Sequence, residues 1–138
     1  GTAQVKILKY GMVHDCGTEI NPMIVEGLAH GATVHGIGAA LYEEFIYDES
    51  GQFLTANFMD YLKPTTMESP HIEVDSLETP SPFTPLGSKG AGEGGAIPAP
   101  AVIASAVEDA LSPLGVEVTA LPLSPNHLWD LIRAGQSA

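Results

Sequence analysis

Residues 87–95 read GSKGAGEGG, one lysine and one carboxylate four residues apart in a frame of glycine, serine and alanine. So bare a segment offers its main chain. Glycine lets a bulky ligand approach the backbone closely, and successive N–H groups in a loop form a concavity that receives anions. In that setting Lys89 and Glu93 place one cation and one carboxylate beside main-chain N–H groups that a bulky ligand can touch. Gly90, Gly92 and Gly95 also satisfy G-x-G-x-x-G. The dinucleotide fingerprint, however, needs a strand running into the loop and a helix starting within it. Here SPFTPL precedes the loop, and Pro98 and Pro100 delay the helix. A phosphate-binding Walker pattern fails as well, because Gly90 follows Lys89 where Ser or Thr is required. The bland alternative is a flexible surface linker. Such a linker carries serines and scattered charge, whereas this one holds a single cation and a single carboxylate among glycines.

The remaining chemistry-bearing residues are read as structural. His14, His30, His71 and His127 have no metal-ligand spacing, so no metal site is expected. Cys16 sits in a turn and reads as a small buried residue. Glu43–Glu44 and Glu108–Asp109 read as solvated helix faces.

The elements that must position the loop follow from hydrophobic periodicity. Residues 3–14 alternate as a strand, with Val5, Ile7 and Leu8 inward. DCGTEINP is a turn that ends in Asn21 as helix cap and Pro22 at the first helical position. A long helix is expected over 22–45, with Ile24, Leu28, Val34, Ile37, Leu41 and Phe45 on its apolar face. Its glycines Gly27, Gly31, Gly36 and Gly38 each cost roughly 1 kcal/mol relative to alanine, which close approach of another backbone or a ligand would explain. A hairpin around Asp48 to Gln52, a strand at 71–78, the 22-residue Pro- and Gly-rich stretch 79–100, a small-residue helix 99–111, a strand at 116–122 and a last helix 124–133 complete the chain. This order argues an α+β fold with a mixed sheet, a hairpin and two to three packed helices.

Composition limits the function classes. At 138 residues and 44% hydrophobic, the chain can build one core, so residues 1–138 form a single domain or a fragment of one. Five Lys and Arg against 17 Asp and Glu give a net charge of -12, which repels nucleic acid and anionic lipid. One cysteine provides neither a disulfide framework nor the thiolates of an iron–sulfur cluster. With neither a leader nor a long apolar run, the cytoplasm is the expected compartment. The chain starts without Met, already in strand-like alternation, so a piece of a larger protein is expected.

DCGTEINP, VEGLAHGATVHGIGAALYEE, DYLKPT, PLGSKGAGEGGAIPAPAVIASAVEDAL and VTALPLSPNHLWDLI occur in this order along nearly the whole chain. Together they resemble the C-terminal portion of the molybdopterin-binding large subunits of the xanthine dehydrogenase, aldehyde oxidase and carbon monoxide dehydrogenase family. The resemblance implies that Glu93 is the base at the molybdenum, and that Ser88, Lys89, Gly90 and Gly92 approach the pterin. It places His35 near the pterin too, where the family commonly has Gln; Leu28 likewise stands where Gln is common. The implied cofactor is molybdopterin, as its cytosine dinucleotide in bacteria, with iron–sulfur and flavin groups on other segments or subunits. A small aldehyde, N-heterocycle or similar carbon centre is the implied substrate, and an oligomeric assembly with the rest of the large subunit the implied partner. The rival readings are a detached non-catalytic module used in subunit interaction, and a small nucleotide-binding oxidoreductase.

Overall fold

A computed structural model describes residues 2–136. Strand β1 (Tyr10–His14) leads into helix α1 (Pro22–Leu41), and strand β2 (Ile72–Ser76) returns beside β1. The two strands pair in parallel, with Tyr10 opposite Ile72 and His14 opposite Ser76. A parallel pair needs a long crossover, and α1 with the segment after it provides one. Helices α2 (Ala99–Leu111) and α3 (Pro125–Gly135) follow, separated by a 3₁₀ turn at Ser112–Leu114. The fold is α+β, as expected, but among the described residues its sheet is a parallel pair rather than a mixed sheet. The expected hairpin is reduced to one antiparallel bridge, Tyr47 to Phe53, around a turn in which Gly51 has φ +82°.

Helix α1 begins where the sequence says it must. The Asn21 side chain accepts from the Ile24 N–H at 3.2 Å, and Pro22 occupies the first turn, where no N–H is needed. It stops four residues short of Phe45: the N–H groups of Tyr42 and Glu43 both turn back to the Gly38 carbonyl at 2.9 Å. Phe45 lies beyond the helix, where it stacks on Tyr61 and meets Phe53 edge-on near the surface. The buried stripe of α1 keeps Ile37 and Leu41 of the expected face but not its first half. Ile24 and Leu28 are exposed, while Ala29, Thr33, Gly36, Ile37, Ala40 and Leu41 face inward. The small residues are inward because α2 arrives at backbone distance: a Cβ on Gly36 would lie 2.5 Å from the Ala99 Cβ and 2.9 Å from the Ala96 carbonyl oxygen.

The core joins Ile37, Ala40 and Leu41 of α1 to Ile103 and Val107 of α2, Leu123, and Leu128 of α3. Val5 and Ile7 pack against it, whereas Leu8 is exposed because alternation carries it to the other side. Of the strand expected over 3–14 only Tyr10–His14 forms, and the first part of that span and the strand expected at 116–122 lack a ladder. Residues 3–9 and 116–122 alternate, yet no strand among the described residues pairs with either. A strand needs a neighbour as well as a pattern.

Candidate functional site

Loop 87–95 is laid along the segment just after β1. The Thr18 N–H donates to the Gly87 carbonyl at 3.3 Å, Gly17 bridges Ser88, and the Lys89 N–H donates to the Cys16 carbonyl at 2.7 Å. Gly17 and Gly87 both have left-handed backbones, φ +65° and +75°, and a Cβ on Gly17 would run into the Gly87 carbonyl oxygen. The crossing is therefore possible only for glycine.

Asp15 ties this crossing together. Its carboxylate accepts from the Gly17 N–H at 2.8 Å, from the N–H of Thr79 at 3.3 Å and from the Thr79 hydroxyl, and it pairs with the Lys89 ammonium at 3.0 Å. Lys89 also donates to the Thr79 hydroxyl oxygen at 2.8 Å. The Thr79 hydroxyl, then the Gly17 N–H, then Lys89 hold the Asp15 carboxyl well below the usual carboxylate range. The resemblance implies that Lys89 meets an anionic cofactor; in the structure its charge already has a partner inside the chain. Cys16 beside it is buried, and burial pushes its thiol up, so it packs and does not react.

Beyond Lys89 the loop opens. The N–H groups of Gly90, Ala91, Gly92 and Glu93 donate to no group among the described residues, and nothing lies within 4 Å of where a Cβ on Gly90 or Gly92 would be. Four successive N–H groups are thus left free to donate to a ligand. The Glu93 side chain is exposed and makes no hydrogen bond or ion pair among the described residues. Its carbonyl, by contrast, is fixed, accepting from the Ala96 and Ile97 N–H groups at 3.0 and 3.2 Å.

Two glycines seat this turn. A Cβ on Gly95 would lie 2.8 Å from the Ala29 carbonyl and from the N and Oγ1 atoms of Thr33, so the loop rests directly on α1. Gly94 rests on the His14 ring, at the end of β1. Glu93 is thus a free carboxylate on an anchored turn, beside free donors. Ser88 is half-buried in the crossing, its carbonyl held by the Thr84 hydroxyl at 3.0 Å. His35 is exposed on α1, one residue before the Gly36 contact with Ala96, and its ring has no partner among the described residues. Residues 15–18, read from the sequence only as part of a turn, are the other half of the site. The available signal was Asp15 two residues before Gly17, a side chain placed to bond its own backbone.

The first 70 residues match the model of a molybdopterin cofactor-binding domain, just over half the chain. The chain belongs to the molybdopterin cofactor-binding domain family. It is 48% identical, over 92% of its length, to the nicotine 6-hydroxylase large subunit of Paenarthrobacter nicotinovorans. Among solved structures it superposes on quinoline 2-oxidoreductase from Pseudomonas putida 86 with a TM-score of 0.90 at 47% identity, covering 93% of this chain. It likewise superposes on carbon monoxide dehydrogenase from Oligotropha carboxidovorans with a TM-score of 0.92 at 37% identity, covering 97%. The chain spans about a sixth of these relatives, 16% of the first two and 17% of the third. Both superpositions run through nearly the whole of this chain, so its α+β fold is that of the matching portion of these solved structures. Among the described residues no helix is long and apolar enough to cross a membrane.

Proposed function

We propose that this chain is the part of a molybdenum hydroxylase large subunit that provides the catalytic glutamate and one wall of the pterin site. The observation that carries the reading is the pairing, on one anchored loop, of free N–H groups at 90–93 with the unpartnered carboxylate of Glu93. Those donors fit an anionic pterin cofactor. Gly90 and Gly92 leave room for its approach, with Ser88 and His35 as further contacts. When bound, the cofactor supplies two-electron redox chemistry at molybdenum. Its cytosine dinucleotide form, with iron–sulfur and flavin acceptors on other segments or subunits, belongs to the same proposal.

In the net reaction a substrate C–H and water become C–OH, two protons and two electrons. Glu93 takes a proton from the attacking water-derived oxygen, and its fixed main-chain carbonyl holds the turn that carries the side chain. Lys89 acts through the crossing: paired with Asp15, it holds residues 87–89 in place and so sets where 90–93 begin. Glu93 is exposed in this chain, and a site for a small substrate is enclosed. The missing walls come from the remainder of the large subunit, and the working unit is an oligomeric complex in the cytoplasm.

The two relatives at 47–48% identity are named for nicotine and quinoline, both N-heteroaromatic compounds. The substrate class proposed here is accordingly an N-heteroaromatic ring hydroxylated on carbon. The test is to assay the assembled enzyme on such rings, aldehydes and carbon monoxide in ¹⁸O-labelled water. Label in a hydroxylated heterocycle is the expected result. An assembled enzyme without molybdenum, or oxygen entering from O₂, would overturn the reading.

A further inference from the structure

His14 stands at the end of β1 with its ring under Gly94, the residue after Glu93. A Cβ on Gly94 would lie 2.6 Å from the His14 Cε1 and 2.7 Å from its Nδ1, so the imidazole fills the space that a side chain at 94 would need. Gly94 does not have a left-handed backbone. Its lack of a side chain therefore answers to the ring and not to φ. The His14 Nε2 is buried and has no hydrogen-bond partner among the described residues. That nitrogen does not hold the ring in place, and the ring's contact with the loop is one of packing.

We infer that His14 is a positioning residue for Glu93: its ring supports the turn from below at Gly94, as α1 supports it at Gly95. The inference rests on the reading of Glu93 as the base. Without the ring, the turn keeps its seat on Ala29 and Thr33 but loses its second support, and the carboxylate samples positions from which proton transfer is slow.

The test uses His14→Ala, Gly94→Ala and the double variant in the assembled enzyme. Molybdenum content, thermal midpoint, kcat and KM are measured for each. His14→Ala is expected to lower kcat about tenfold with KM and molybdenum content unchanged. Gly94→Ala is expected to lower both kcat and thermal midpoint, because the new methyl meets the ring. In the double variant the methyl occupies the space the ring has left, so both quantities should recover relative to Gly94→Ala alone. Additive losses in the double variant, or a wild-type kcat in His14→Ala, would overturn the inference. Glu93→Gln measured alongside separates the two readings. If it keeps the wild-type rate, the base assignment fails, while the coupling of His14 and Gly94 is still read in the thermal midpoint.

Discussion

The Lys89 ammonium lies 3.0 Å from the Asp15 carboxylate, while the Lys89 backbone N–H donates to the carbonyl of Cys16, the next residue after Asp15. One residue of the glycine loop is therefore held twice by the same short segment, through its side chain and through its main chain. Asp15→Asn keeps the shape but removes the charge that faces Lys89. The Asp15 carboxyl is held below its ordinary value in the folded chain, so its contribution is fully present above the unfolded pKa of about 3.9 and is lost as the pH falls through the lower, folded value. The thermal midpoint of Asp15→Asn should lie below wild type at pH 7, and the gap should close as the pH drops below about 4. A gap that stays constant with pH would show that the charge contributes nothing.

Lys89→Gln separates a structural lysine from one that meets the cofactor. With its ammonium paired to Asp15 and Thr79, the substitution should lower the thermal midpoint and molybdenum content together. Full stability with reduced molybdenum would instead point to direct contact with the cofactor.

Much of this was legible in the sequence, and the limits have physical causes. Asn21 with Pro22, and Ser124 with Pro125, mark helix starts because a cap and a proline act locally, within one turn. Glu93 stood out because a lone carboxylate among glycines has few structural explanations. The inward face of α1 is legible at Ile37 and Leu41 but not in its first half, because α2 packs at glycine and alanine distance and leaves Ile24 and Leu28 outside. The Asp15–Lys89 tie joins residues 74 positions apart, a contact that no local pattern encodes.

The glycines of α1 should respond with opposite signs. Gly36→Ala puts a methyl against Ala99 and Ala96 and should destabilise by about 1–3 kcal/mol, the usual range for overpacking. Gly31→Ala meets nothing within 4 Å and should stabilise by up to about 1 kcal/mol through helix propensity. Denaturant unfolding of both variants checks the pair; equal effects would refute the packing account.

Phe58, Met59, Met67, Phe83 and Leu8 are each at least 78% exposed, and exposed apolar side chains of this size favour association where they adjoin. The isolated chain should bind a hydrophobic dye and form a discrete oligomer, since its charge of -12 opposes precipitation. Light scattering that finds a clean monomer without dye binding would mean that these residues need no cover.

The central claim is that Glu93 is the base, and Glu93→Gln in the assembled enzyme tests it most directly. The amide keeps the size of the side chain and leaves the donors at 90–93 untouched, so molybdenum content should match wild type. Loss of a positioned base costs about 10²–10⁴-fold in rate, and single-turnover reduction by substrate should slow by that factor with little change in apparent affinity. Normal single-turnover reduction at full molybdenum content would contradict the claim and leave the loop as a wall of the cofactor site alone.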